Sequence, residues 1–102
     1  MAILKVGALV FEWDDAKSIS NLSKHGISFV EAATVFHDEL GLLKRDTIHS
    51  VAEDRFLLIG TSIERRIVIV VHVERGERIR IISARLATTR ERRDYEQGSS
   101  GR

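Results

Sequence analysis

The sequence predicts an α+β fold with a mostly antiparallel sheet, two N-terminal helices packed on it and a short C-terminal helix. Helix start and stop signals fall within residues 14–37, and β-branched apolar runs with short polar connections fall within residues 56–83. A chain of 102 residues has room for one hydrophobic core. We therefore expect a single domain at 1–97, followed by a disordered tail at 98–102 that is rich in glycine and serine.

Two short helices that meet at a glycine turn are the first elements that the sequence defines. A strand at 9–13 is expected to lead into Asp14, whose side chain can cap the first helix, and Gly26 can adopt the left-handed conformation that ends it. Ser28 and Glu31 then have the spacing of a capping box, in which each side chain bonds the other residue's backbone amide. A second short helix is therefore predicted directly after the turn.

The second half of the chain is predicted to be rich in strands. The expected strands lie at 56–61, 67–73 and 78–83, with a weaker one at 41–44. Because their connections are short and polar, consecutive strands should pair as an antiparallel meander. The run at 67–73 is apolar without alternation, which is typical of a central strand covered on both faces. Thr88 and Glu91 form another capping box, which predicts the start of the last helix.

Charge is distributed unevenly along the chain. Residues 1–64 contain six Lys/Arg and ten Asp/Glu, whereas residues 65–102 contain ten and five. Twelve of the sixteen basic residues are arginine, whose planar guanidinium group matches phosphate oxygens in a bidentate manner. A solvated face with many ion pairs would have the same composition. The clustering of arginines beside the end of the strand at 78–83 nevertheless favours nucleic acid as the ligand.

Several classes of site are not expected. The chain has no cysteine, so disulfides and thiolate metal sites are excluded, and His25, His37 and His49 do not have the spacing of metal ligands. His72 lies in an apolar strand and is predicted to be a core or edge histidine. No metal or other cofactor is expected. No apolar run reaches the length of a membrane span, and the N-terminus lacks signal-peptide features, so we expect a cytoplasmic protein.

A set of spaced residues resembles a known family. Residues 13–32 follow the pattern W-D-x-x-K-x-x-x-N-x-x-K-H-G-x-x-F-x-x-A, which includes Trp13, Lys17 and Asn21. The downstream positions of the same pattern are Glu53, Arg55, Gly60, the run Arg80 to Arg85, Ala87, Glu91 and Tyr95. Together these residues, which span about residues 10–97, resemble the BrnT toxin family, the ribonuclease half of a bacterial type II toxin–antitoxin pair.

The resemblance implies a fold, an activity and partners. It implies a RelE-like fold and cleavage of an RNA substrate without a metal ion, which halts translation. It also implies a BrnA-like antitoxin protein that neutralises the toxin, contact with operator DNA only through that antitoxin, and no membrane partner. A homodimer of the toxin within the complex is compatible with it.

Metal-independent cleavage of RNA needs a base for the 2′-hydroxyl, a positive charge for the phosphate and an acid for the departing 5′-oxygen. Arg85 follows the strand directly and is assigned to the phosphate, because arginine does not exchange protons near neutral pH. His25 can serve as base or acid, and Lys24 can act electrostatically or as a base. Tyr95 can stack on a base or orient a phosphate, and the family pattern adds Glu53 to the catalytic candidates. The candidate RNA-binding residues are Arg55, Arg66, Arg80, Arg90, Arg92 and Arg93.

These assignments have structural alternatives. Lys24 and His25 lie in the last turn of the first helix, where cations stabilise the negative end of the helix dipole, and this explains them as well as catalysis does. Glu91 is explained first by its capping box, and Asn21 by bonds to local backbone. A non-catalytic module that binds nucleic acid or a partner, with residues 15–37 as a helix-turn-helix, is the main alternative function. A toxin-like scaffold without activity is the other.

Overall fold

The computed structural model describes residues 1–100, which form an α+β fold with one six-stranded sheet. In chain order, the elements are β1 (Ala2–Val6), β2 (Leu9–Trp13), α1 (Asp15–His25), α2 (Phe29–Thr34) continued by a 3-10 turn (Val35–His37), β3 (Leu42–Arg45), β4 (Arg55–Thr61), β5 (Ile67–Arg75), β6 (Arg78–Leu86) and α3 (Thr89–Ser100). The predicted α+β class is confirmed. None of these helices is both long and apolar enough to cross a membrane.

The sheet is mostly antiparallel, as predicted, with the strand order β1-β2-β6-β5-β4-β3. Strands β3 to β6 form the expected antiparallel meander. The exception is β2, which pairs with β6 in parallel, and β1 pairs with β2 to form one edge of the sheet. After β2 the chain forms α1 and α2, and it then re-enters the sheet as β3, the edge strand opposite β1.

The N-terminal hairpin is an element that the sequence analysis did not separate. The strand expected at 9–13 is present as β2, and the structure adds β1 before it, with Ala2 opposite Trp13 and Val6 opposite Leu9. Gly7 has a φ of +59° and forms the tight connection between the two strands. A positive φ at little steric cost is the property that glycine brings to such two-residue connections.

The helix caps follow the sequence closely. An Asp14 carboxylate oxygen accepts a hydrogen bond from the Lys17 amide at 3.0 Å, and Gly26 has a φ of +70° and donates its amide to the Leu22 carbonyl. Ser28 Oγ accepts from the Glu31 amide at 3.0 Å. The second bond of the predicted capping box would join the Ser28 amide to the Glu31 carboxylate. That carboxylate instead turns inward and accepts hydrogen bonds from Arg66 and Ser62. A charged partner binds a carboxylate more strongly than a backbone amide does.

Two groups of buried side chains cover opposite faces of the sheet. The larger contains Phe11, Trp13, Ile27, Phe29, Ala32, Ala33, Val35, Leu58, Val68, Val70, Ile81 and Ala84 and lies between the sheet and the first two helices. The smaller joins Tyr95 of α3 to Ile59 and Ile69. Because Val68 and Val70 belong to one group and Ile69 to the other, β5 is covered on both faces over residues 68–70, whereas Val71 lines an open cleft.

Asn21 fixes α1 against the sheet. Its buried side chain donates from Nδ2 to the carbonyl oxygens of Ile27 at 2.9 Å and Ala84 at 2.8 Å, and Oδ1 accepts from the Ala84 amide at 3.0 Å. The expected bond to local backbone is therefore present, but two of the three bonds reach β6. This arrangement holds the C-terminal turn of α1 beside the part of β6 that precedes Arg85.

The last helix runs further than its capping box alone indicates. The capping box is confirmed, because the Glu91 amide donates to Thr88 Oγ1 at 3.2 Å and the Thr88 amide donates to a Glu91 carboxylate oxygen at 2.8 Å. Helix α3 then continues to Ser100, three residues into the segment for which a disordered tail was predicted. The rest of that prediction, residues 101–102, lies outside the described residues.

Candidate active site

A β-bulge in β6 joins two shallow clefts. Val71 of β5 pairs with Ser83 and His72 pairs with Ile81, so Ile82 is the extra residue. The arginine cleft, with a volume of about 360 Å³, is lined by Asp46, His49, Arg55, Leu57, Val71, Ile82, Ser83 and Arg85. The helix cleft, of about 270 Å³, is lined by Lys17, Ser20, Asn21, Lys24, His25, Ile82 and Ser83. Because both clefts share Ile82 and Ser83, they are adjacent.

The arginine cleft lies on the face of the sheet that α1 and α2 leave uncovered. Ala84 belongs to the core beneath these helices. Since strand side chains alternate between faces, Ser83 and Arg85 project from the other side. On that side α3 packs at Tyr95, against Ile59 and Ile69. The sheet surface beyond this contact therefore stays open, and bulges of this kind commonly redirect side chains next to active sites.

Arg85 is held by Glu91 in a bidentate ion pair. Its Nη1 donates to Glu91 Oε1 at 2.7 Å and its Nη2 donates to Oε2 at 3.0 Å. The hydrogen bonds from Arg85, together with those from Thr88, lower the pKa of Glu91 from 4.5 to about 2. The hydrogen bonds to Glu91 raise the pKa of Arg85. Glu91 thus caps α3 and fixes the direction of the Arg85 guanidinium group, and the Arg85 side chain remains 40% exposed.

The pH dependence of stability should report this ion pair. The pKa of Glu91 is about 2 in the folded protein and 4.5 as its ordinary value, so its stabilising effect is complete above about pH 4.5 and is lost as the pH falls towards 2. We expect the melting temperature to fall over this interval. The Glu91→Gln variant, which cannot ionise, should show a smaller fall. Thermal unfolding from pH 7 to pH 2 measures both, and identical profiles for the two proteins would contradict the assignment.

Asp46 and His49 contribute a second pair to the arginine cleft. The His49 Nδ1 atom lies 2.9 Å from an Asp46 carboxylate oxygen. Histidine spacing predicts only that His49 is not a metal ligand, so this pair was not expected. The Asp-x-x-His spacing in a polar segment was the available signal, because it suits a side-chain bond across one turn.

Lys24 and His25 lie in the helix cleft and not in the arginine cleft. Both occupy the last turn of α1, which is also the position where a cation stabilises the helix dipole. The helix cleft meets the arginine cleft at Ile82 and Ser83, and the position of Lys24 and His25 is compatible with both explanations that the sequence allowed.

Glu53 and Tyr95 are not brought to either cleft. Glu53 pairs with Arg75 at 3.3 Å near the start of β4. Tyr95 is 7% exposed, and its ring packs in the smaller core group. Its hydroxyl donates to the Asp38 carboxylate and lies 3.0 Å from Thr61 Oγ1. These contacts give Tyr95 a structural role that its position next to the arginines did not predict.

Two of the predicted RNA-binding arginines are occupied by buried carboxylates. Arg66 bonds Glu31 through Nε at 2.9 Å and through Nη2, and it lowers the pKa of that carboxyl. Arg80 donates to Glu12 at 2.7 Å, and its side chain is only 19% exposed. By contrast, the arginines at 90, 92 and 93 are exposed on α3, and Arg55 lines the arginine cleft.

Two further predictions concern His72 and metal binding. His72 is 3% exposed between the rings of Phe36 and Phe56, and burial lowers its pKa, so the prediction of a core histidine is confirmed. Across residues 1–100, no three His, Asp or Glu side chains form a group that could hold a metal ion.

Comparison with known proteins identifies the family. The fold is similar to the crystal structure of the Brucella abortus ribonuclease toxin BrnT, with a TM-score of 0.57 and 24% sequence identity, over 78% of this chain and 96% of that chain. At this identity the similarity shows the fold alone. None of the curated proteins compared with the chain matches it. Residues 13–91 match the family described as ribonuclease toxin, BrnT, of type II toxin–antitoxin systems, and the chain therefore belongs to the BrnT family.

Proposed function

We propose that this protein is a metal-independent endoribonuclease that cleaves RNA, inhibits translation and is neutralised by a BrnA-like antitoxin. The observation that carries the proposal is the convergence of Arg55 and Arg85 beside Ser83 in one open cleft. Two guanidinium groups supply the positive charge that a phosphate needs as it gains a fifth oxygen. In this mechanism the arginines fill the electrostatic role for which other nucleases use metal ions.

The reaction that suits this cleft is an internal transfer at phosphorus. The ribose 2′-oxygen loses its proton to a base and bonds the adjacent phosphorus, while the bond from phosphorus to the 5′-oxygen breaks. The departing 5′-oxygen gains a proton from an acid, so the products are a 2′,3′-cyclic phosphate and a 5′-hydroxyl. We assign Arg85 and Arg55 to the phosphate. His25, with Lys24 beside it, acts from the adjacent helix cleft as the acid.

The other predicted site residues divide according to their surroundings. Exposure on α3 supports a role for the arginines at 90, 92 and 93 in binding the RNA backbone. The ion pairs of Arg66 and Arg80 favour a structural role for both. Catalysis by Glu53 or Tyr95 stays a prediction without support from their positions.

Cleavage of RNA by the purified protein in the presence of EDTA tests this function. We expect the wild-type protein to leave cyclic phosphate ends under these conditions. An Arg55→Ala/Arg85→Ala variant that remains folded at the assay temperature should leave the RNA intact. Cleavage that stops with EDTA would contradict metal independence, and the absence of cleavage under every condition would contradict the enzyme assignment.

The helix-turn-helix alternative is not favoured by the packing of α2. This helix is six residues long, and Phe29, Ala32 and Ala33 are fully buried against the core. A recognition helix needs exposed polar side chains that reach base edges in the major groove. Regulation of operator DNA is accordingly assigned to the antitoxin. The RelE-like classification and a toxin homodimer within the complex stay predictions.

The antitoxin is proposed to cover the basic rim formed by the start of α3, so that it blocks the arginine cleft. If so, the Arg92→Glu/Arg93→Glu variant should bind the antitoxin more weakly than the wild type does. The loss should be larger at low salt, because exposed charges are screened as ionic strength rises. Titration calorimetry at two salt concentrations measures it.

Arg75→Glu/Arg78→Glu is the matched control for this experiment. It makes the same charge change at the turn between β5 and β6, at the opposite end of β6 from α3. Equal losses in the two double variants would indicate a general charge effect. Unchanged affinity of the Arg92/Arg93 variant at both salt concentrations would place the antitoxin elsewhere.

A further inference from the structure

His49 is presented to the arginine cleft in a defined orientation. Its Nδ1 atom lies 2.9 Å from Asp46 Oδ2. An ionised carboxylate can only accept hydrogen bonds, so the bond requires the proton on Nδ1 and leaves the lone pair on Nε2. Burial raises the pKa of Asp46, but hydrogen bonds from the His49 ring and backbone outweigh it, so the pKa lies below its ordinary value. Asp46 is therefore ionised near neutral pH.

The loop between β3 and β4 holds this pair in place. Asp46 Oδ1 accepts from the Ile48 amide at 3.2 Å and the His49 amide at 3.3 Å. Ser50 Oγ donates to the Asp46 carbonyl and accepts from the Arg55 amide at 2.9 Å, which ties the loop to the first residue of β4. Within the pair, the Asp46 side chain is 13% exposed and the His49 side chain 65%. The carboxylate is anchored, and the imidazole is accessible to a ligand.

The surroundings of His49 match the needs of a general base. Arg55 of β4 and Arg85 of β6 line the same cleft, and Ser83 lies between that cleft and the Lys24 and His25 side chains of α1. If the arginines bind a phosphate of the RNA, the ribose attached to it lies in the cleft that His49 lines. When the imidazole accepts a proton, the adjacent carboxylate stabilises the imidazolium ion, which is the role of the aspartate in a serine-protease triad.

On the basis of the proposed ribonuclease function, we propose that His49, oriented by Asp46, is the general base that removes the proton from the 2′-hydroxyl. The proton moves to Nε2 while the 2′-oxygen bonds phosphorus, and the 5′-oxygen leaves with a proton from the acid. Asp46 acts as a positioning residue, since it touches His49 and not the RNA. The reaction is then served from both clefts, with His49 on one side of Ile82 and Ser83 and His25 on the other.

A substrate with sulfur in place of the bridging 5′-oxygen separates base from acid. Sulfur departs as a thiolate without needing a proton, because a thiol has a pKa of about 8.5 and an alcohol a far higher one. We expect His49→Gln to slow cleavage of both the oxygen and the sulfur substrate by about 10²–10⁴-fold. His25→Gln should slow only the oxygen substrate. His37→Gln, which changes an exposed histidine outside both clefts, is the matched control and should slow neither.

Each outcome decides the inference. Near-normal cleavage by His49→Gln overturns it, and recovery of His49→Gln on the sulfur substrate overturns the base assignment in favour of an acid. The ratio of the two rates within one variant does not depend on how much of it is folded, so a destabilised variant still gives an answer.

The pH dependence of cleavage is a second test. The wild-type rate should fall as the pH is lowered, and this fall should be absent in His49→Gln and retained in His37→Gln. If the wild type cleaves neither substrate, the proposed function itself fails and the base assignment fails with it.

Discussion

Replacing Arg85 with alanine should reduce RNA cleavage by about 10²–10³-fold, the usual cost of losing one preorganised group that stabilises charge in the transition state. The guanidinium group is the only group in its cleft that is fixed by a bidentate carboxylate, among the residues the structure describes. Expression of the wild-type protein without antitoxin should arrest growth, and the variant should relieve the arrest. Single-turnover cleavage of a labelled RNA and growth curves measure the two effects.

Arg45→Ala is the matched control for Arg85→Ala. Arg45 also makes two hydrogen bonds to one carboxylate, that of Asp54, but it lies on the edge strand β3 outside both clefts. We expect its loss to leave cleavage unchanged. Full toxicity of a folded Arg85→Ala protein would remove this residue from the mechanism.

Glu91→Gln tests whether the carboxylate orients Arg85. The amide retains hydrogen-bond donors and acceptors but loses the ion pair, so the guanidinium group becomes less well fixed. Cleavage should fall by less than in Arg85→Ala. A rise in cleavage would show instead that Glu91 competes with the phosphate for Arg85.

The elements of this fold that depend on local interactions could be predicted from the sequence. Asp14, Gly26, Ser28 and Thr88 act within three or four residues of their own positions, and each cap was found where its spacing indicated. The short polar connections likewise predicted the antiparallel meander. The hairpin at Gly7 was missed because a single glycine between two mostly apolar segments is a weak signal for a turn.

Interactions between distant residues could not be predicted in this way. Arg66 and Glu31 are 35 residues apart, and Arg80 and Glu12 are 68 apart, so nothing in the sequence distinguished these arginines from those that stay exposed. The family pattern made Tyr95 a candidate for stacking on a base or orienting a phosphate, and in the structure its ring packs against Ile59. A charge pattern predicts the total basic character of a region, and the fold decides which charges remain available to a ligand.

The residues of the candidate site could likewise be predicted only where they are neighbours in the sequence. Arg85 was identified because it is adjacent in sequence to a capped helix. His49 was not, because its cleft is assembled from a loop and three strands, one of them bulged, that become neighbours only in the folded sheet. The bulge at Ile82 is also invisible in the sequence, since the run at 78–83 is uniformly suited to a regular strand.

Replacing Arg66 with alanine should destabilise the fold and leave RNA binding intact. The Glu31 side chain is 8% exposed, and without Arg66 its charge would remain buried with a bond from Ser62 Oγ at 2.7 Å. Removing one partner of a buried ion pair costs about 3–5 kcal/mol, and because Arg66 is itself partly exposed we expect a loss of about 2–3 kcal/mol in the free energy of unfolding. Urea denaturation measures this loss.

A double variant and the pH dependence identify the cause. Glu31→Gln/Arg66→Met removes both charges, so it should be more stable than Arg66→Ala, because no unpaired charge is left in the core. The bonds from Arg66 hold the pKa of Glu31 below its ordinary value of 4.5. The contribution of this pair to the free energy of unfolding is therefore complete above about pH 4.5 and is lost as the pH falls below that value. Arg66→Ala should therefore lose less stability than the wild type on acidification. If the folded variant instead binds RNA more weakly and with a smaller salt dependence, Arg66 contacts phosphate, and its pairing with Glu31 must open when RNA binds.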